Sequence, residues 1–135
     1  MSPATSRDFQ KAASQRLTTA KFLLDSKYTL DAMYITGYAI ECSLKALILA
    51  RTPAAVFPVQ FEALTKGAKM HNFENLAAIL RDLGMALPAQ ITKRIRKSTW
   101  STSLRYESGR ADTGETRACH HTAQLVYDWV EDELS

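Results

Sequence analysis

The segment that most constrains this 135-residue chain is residues 30–51, LDAMYITGYAIECSLKALILAR. Drawn as a helix, it is apolar round most of its circumference. Ile35, Ala39, Cys42 and Ala46 lie on one side, and Ile40, Leu44 and Leu47 on another. A helix of that kind is buried among other elements, so the rest of the chain has to surround it. Asp31 in the first turn and Lys45 and Arg51 toward the far end suit the helix dipole, and Pro53 stops the helix. The same segment nevertheless carries Glu41 and Lys45. At about 100° per residue, Tyr34, Tyr38, Glu41 and Lys45 fall in one narrow sector. Glu four residues before Lys is the favourable order for a helical pair. Gly37, beside Tyr38, permits close approach of another backbone at some cost in helix stability. The stripe is either the solvent edge of the helix, with tyrosines lying over it, or a recognition surface. A fully buried ion pair costs desolvation that Coulomb attraction does not readily recover. The expectation is therefore a pair at a groove or an interface edge, reached by solvent, with Glu41 holding Lys45 or a neighbouring base such as Arg105.

Four further helices are expected, and no strand. The first runs from about Ser6 to Asp25, with Thr5 and Asp8 placed for a capping box and Phe9, Ala13, Leu17, Ala20 and Leu24 on one face. Residues 52–71 are irregular, punctuated by Pro53, Pro58 and Gly67, with one short helix around Val59–Thr65. Another helix spans about Phe73–Leu83, with Asn72 as N-cap and Gly84 at C′. Its stripe is Phe73, Leu76, Ala77, Leu80 and Leu83. Pro88 opens a helix that ends near Tyr106. SGRADTG, residues 108–114, is a polar loop. The last helix runs from about Glu115 to Glu133, with Ala118, Thr122, Leu125, Val126, Trp129 and Val130 on one face.

With 135 residues, one domain over 1–135 is expected, long enough to bury a core without metals or disulfides. The net charge of +3 permits an anionic partner without requiring one. Cys42 and Cys119 lie in helical, mostly apolar contexts and read as buried free thiols. The start, MSPATSRDFQK, has no apolar secretory region, and no uninterrupted apolar run matches a bilayer span. A cytoplasmic protein with no membrane partner is the expectation.

The wording A..Y..GYA.E..LKA within residues 31–48 resembles the second helix of the HEPN (higher eukaryotes and prokaryotes nucleotide-binding) domain family. Ala12, Ala13, Leu23 and Leu24 precede it as in the family. HNFENLAAIL, residues 71–80, is similar to its H.l..L segment, and LRYE, residues 104–107, to its RY element. The resemblance runs from about Arg7 to Trp129, and the helix-2 wording is its most specific part. It implies an all-α, up-and-down bundle of four or five helices, often a homodimer. It also implies a function among ribonuclease toxins, defence nucleases and RNA- or nucleotide-binding modules, many of them encoded beside a nucleotidyltransferase partner.

Ribonuclease members carry an arginine, four to six residues, then a histidine, for phosphate stabilisation and proton transfer. That spacing is absent here. Lys66 precedes His71 at the right distance, but lysine lacks the guanidinium fork. Thr113, Gly114, Glu115 and Thr116 stand before His120 and His121. A displaced site of Arg117, His120 and His121 on the last helix is the enzymatic alternative; the plainer reading makes RACHH the exposed start of an amphipathic helix. His71, just ahead of Asn72, reads as a residue that seals the start of its helix. No phosphate-loop, metal-ligand or nucleophile-elbow pattern is present, and no cofactor is expected. TKRIRKSTWSTSLRY, residues 92–106, clusters Lys93, Arg94, Arg96 and Lys97 with Trp100, Arg105 and Tyr106. Such a mixture can bind a nucleic-acid backbone, though four basic residues in five positions point round most of a helix and form no single face, and Ile91, Ile95, Leu104 and Trp100 read as core.

The reading is a non-catalytic or divergent HEPN protein that binds RNA, a nucleotide or a nucleotidyltransferase, within a toxin–antitoxin or defence pair. The candidate binding residues are Tyr34, Tyr38, Glu41, Lys45, His71, Arg105 and Tyr106. A structural interaction protein with no nucleic-acid ligand is the remaining alternative.

Overall fold

The structure, a computed structural model, describes residues 5–66, 71–98 and 100–135. Among them are six α-helices and no strand: α1 (Ser6–Asp25), α2 (Thr29–Arg51), α3 (Phe57–Lys66), α4 (Phe73–Asp82), α5 (Ala89–Lys97) and α6 (Thr113–Leu134). Short 3₁₀ turns occupy Ala54–Val56 and Thr102–Tyr106. The fold is an all-α helical bundle.

The three long helices α1, α2 and α6 pack on one another. α4, α3 and the second 3₁₀ turn lie against α2, and α5 rests on α6. α1 starts where the Thr5–Asp8 capping box satisfies its first donors. Its expected face, Phe9, Ala13, Leu17, Ala20 and Leu24, is buried. The α1–α2 connection is only Ser26–Tyr28. It closes because Lys27 takes φ 68°, while Tyr28 N–H donates to the Leu23 carbonyl at 2.8 Å. That is a left-handed helix cap without the usual glycine.

α2 is central, as its composition dictates. Fifteen of its 23 residues are buried within this one chain, so its burial by itself calls for no second copy. By length and composition α2 is also apolar enough to cross a bilayer. Here its apolar surface faces the other helices instead, including Ile40, Leu44, Leu47 and Ile48, all fully buried.

The structure differs from the sequence reading at three elements. The short helix expected at Val59–Thr65 is longer, Phe57–Lys66. The helix expected to run from Pro88 to Tyr106 ends at Lys97. Ser98 Oγ accepts the Trp100 backbone N–H at 3.2 Å, and Ser101 Oγ accepts that of Ser103 at 3.3 Å. Hydroxyl groups of this kind compete with helical hydrogen bonds, and the break lets Trp100 turn inward. On α6 the buried face centres on Cys119, Thr122, Ala123, Val126 and Val130; Ala118 is exposed and Leu125 and Trp129 are half-buried. The small side chains Cys119 and Ala123 face inward there, and His120 Nε2 donates to the Leu17 carbonyl of α1 at 3.1 Å.

Candidate functional site

The stripe read from the sequence is one connected structure. The Tyr34 and Tyr38 hydroxyls lie 3.2 Å apart. One turn further on, Lys45 Nζ donates to Glu41 Oε2 at 3.0 Å. The second carboxylate oxygen, Glu41 Oε1, accepts from Nδ1 of His71 at 2.7 Å. Glu41 therefore joins α2 to the start of α4 by way of His71.

The desolvation cost led to the expectation of a solvent-reached edge for this pair, and the structure instead buries it. Glu41 and Lys45 are 6% and 4% exposed. The carboxylate tolerates burial because both of its oxygens carry a charged or polarised donor, the condition under which a buried ion can persist. Arg105 does not take that place. Its guanidinium lies over the Tyr106 ring at 4.8 Å, and both residues are exposed.

Trp100 closes the seam from outside. Its Nε1–H donates to the Tyr34 main-chain carbonyl at 3.0 Å. Its ring stacks on Phe73 of α4 with centroids 5.1 Å apart and meets Tyr38 edge-on at 5.3 Å. This contact explains Gly37: a β-carbon there would overlap the indole. The close approach foreseen at Gly37 is thus made by a side chain rather than a backbone. His71 also meets the Tyr38 ring edge-on. Burial, then the Tyr34 hydroxyl, pushes the Tyr38 phenol up to about 12, with Glu41 adding and Arg105 opposing. Burial pushes the Cys42 thiol, on the same helix, up to about 11.

Outside the seam lies a cleft of about 460 Å³. Its lining includes His71, Phe73, Glu74, Arg96, Trp100 and Thr102. Asn72, at the same rim, caps α4 by accepting from Glu74 N–H at 2.8 Å and Asn75 N–H at 3.2 Å. Those donors are thereby used within the helix. Arg96 faces Glu74 at a loose 4.0 Å, both side chains largely exposed.

Of the expected binding residues, Tyr34, Tyr38, Glu41, Lys45 and His71 are brought together. Arg105 and Tyr106 stand outside this network. Of the displaced site, Arg117 and His121 are exposed one turn apart on α6, while His120 is engaged with α1. Cys42 and Cys119 are free thiols, and the described residues hold no group of three metal-type ligands. Sequence reasoning missed that Trp100 and Phe73 seal the stripe and that Arg96 and Thr102 line the cleft. The signal was present as the small residue Gly37, without a partner to assign to it. Compared with protein-family models, characterised proteins and solved structures, the chain matches none. The HEPN resemblance thus stands on the motif residues alone.

Proposed function

We propose that the chain is a HEPN-like binding module for single-stranded RNA, using the cleft beside His71 and the outer face of α5, without nuclease activity. The observation that carries this reading is the sidedness of α5. Ile91 and Ile95 turn inward, and Lys93, Arg96 and Lys97 are left exposed. Among the described residues, the carboxylate paired with this arc is the distant, exposed Glu74. Such a pair contributes little, so the arc is open to phosphates. Arg96 belongs both to the arc and to the cleft, which joins them into one surface. The absent Arg–His spacing supports binding without cleavage.

The test is titration with a short oligouridine lacking terminal phosphates. Each phosphate contact removed in Lys93→Ala, Arg96→Ala or Lys97→Ala should reduce the salt dependence of binding by about 0.7 in logarithmic slope, with no cleavage of the RNA. Binding of AMP alone would narrow the ligand to a free nucleotide. No binding of either would transfer the surface to a protein partner such as a nucleotidyltransferase. The homodimer implied by the resemblance would sediment at about twice the 15.1 kDa chain mass.

A further inference from the structure

His71 is held in an unusual way for a residue on a cleft wall. Nδ1 is tied to the buried Glu41 carboxylate at 2.7 Å, while the side chain as a whole remains 44% exposed. The two ring nitrogens point away from one another. With Nδ1 turned inward, Nε2 is turned toward the cleft that His71 lines. A carboxylate on Nδ1–H fixes the tautomer and stabilises the imidazolium. The outer nitrogen is then a lone pair when the ring is neutral and a directed N–H donor when it is charged.

We propose that His71 is the residue of this cleft that contacts a phosphate, and that it does so as the imidazolium, so that RNA and a proton are taken up together. The proposal rests on the RNA-binding reading above. Where the free protein holds His71 neutral, binding moves one proton from solvent to Nε2. That N–H then donates to a non-bridging phosphodiester oxygen, while Nδ1–H stays on Glu41. The charged and titratable groups around the ring are Glu41, Lys45 and Tyr38 of α2, Glu74 of α4, Arg96 of α5 and Arg105 of the 3₁₀ turn. Glu41 and Glu74 are the anions there, and the phosphate brings a further negative charge to the outer nitrogen as the proton is taken up. Arg96, on the same cleft, supplies a second cationic donor.

Calorimetry with oligouridine tests this, because neither its phosphodiesters nor its bases titrate between about pH 5.5 and 8.5, the range in which imidazoles change charge. Wild-type affinity should fall about tenfold per pH unit at the alkaline end, with about one proton taken up per site. His71→Gln keeps an N–H donor for Glu41 and removes the titrating nitrogen. It should flatten the profile and weaken binding at the acid end about tenfold or more. Binding with a flat wild-type profile overturns the proposal and leaves the RNA reading standing. A steep profile unchanged in His71→Gln also overturns it. Absence of binding at every pH sinks both. If His71→Gln loses helicity, the wild-type ¹⁵N shifts of the ring decide: Nε2 must gain its proton on addition of the RNA.

Discussion

The interface among α1, α2 and α6 and the seam between α2, α4 and Trp100 are built on different principles. The first is aliphatic and redundant. Ile40, Leu44, Leu47, Val126 and Val130 are fully buried, each among several apolar neighbours. Loss of one methylene there is shared among many contacts. The second depends on single partners: one carboxylate for two nitrogen donors, one glycine for one indole, one carbonyl for one indole N–H. A helix apolar all round can be buried by either kind of surface. Only the second kind fixes where the start of α4 and Trp100 must sit.

The sharpest way to break that contrast is Glu41→Ala. It strands the Lys45 ammonium and releases His71, and should cost about 3–5 kcal/mol in denaturant unfolding. The paired neutral change Glu41→Gln with Lys45→Met should cost far less. If the double variant were as unstable as Glu41→Ala, the pair would not be acting through charge.

Next is a comparison at one-carbon scale. Gly37→Ala improves helix propensity by roughly 1 kcal/mol, yet it drives a methyl into the Trp100 indole and should be destabilising by about 3 kcal/mol net. Tryptophan emission should shift to the red as Trp100 leaves the seam. Ile40→Val, in the aliphatic interface, should cost only about 1 kcal/mol.

Alkaline pH probes both regions through their thiols. Burial raises Cys42 and Cys119 from 9.0 to about 11. The folded state thus holds these protons more tightly than the unfolded state. Their contribution is complete below pH 9 and is lost as pH rises through 11. Stability should fall by on the order of 2 kcal/mol for each thiol over that interval, and both thiols should react slowly with disulfide reagents in the folded protein. A Cys42→Ala, Cys119→Ala double variant should lose most of this dependence.

The smallest expected effect lies outside both regions. Lys27→Gly relieves a left-handed backbone at the α1–α2 turn and should raise stability by about 0.5–1 kcal/mol.

The aliphatic interface was legible in the sequence because periodicity reports burial directly. α1 matched its expected span Ser6–Asp25, its cap and its face, and Asn72 and Gly84 marked the ends of α4. Spacing also placed Tyr34, Tyr38, Glu41 and Lys45 on one line. What lies across from that line was not legible, because it is set by contacts between residues far apart in the chain. Glu41 and His71 are 30 positions apart, and Trp100 and Tyr34 are 66 apart. A general desolvation argument put the ion pair at the surface. It failed because a second donor for the carboxylate could not be seen. The helix drawn through Ser98–Ser103 failed for a local reason, the hydroxyl caps that end it.

The seam depends on Glu41 as a buried carboxylate shared by Lys45 and His71. Nitrogen-15 NMR of the wild-type imidazoles at about pH 8.5, above the range in which free imidazole titrates, tests it without any substitution. His71 should be the Nδ1–H tautomer, the minor form of a free histidine in water, with a ring proton protected from exchange by its bond to Glu41. An Nε2–H tautomer at His71, or rapid interchange between the two forms, would contradict the account.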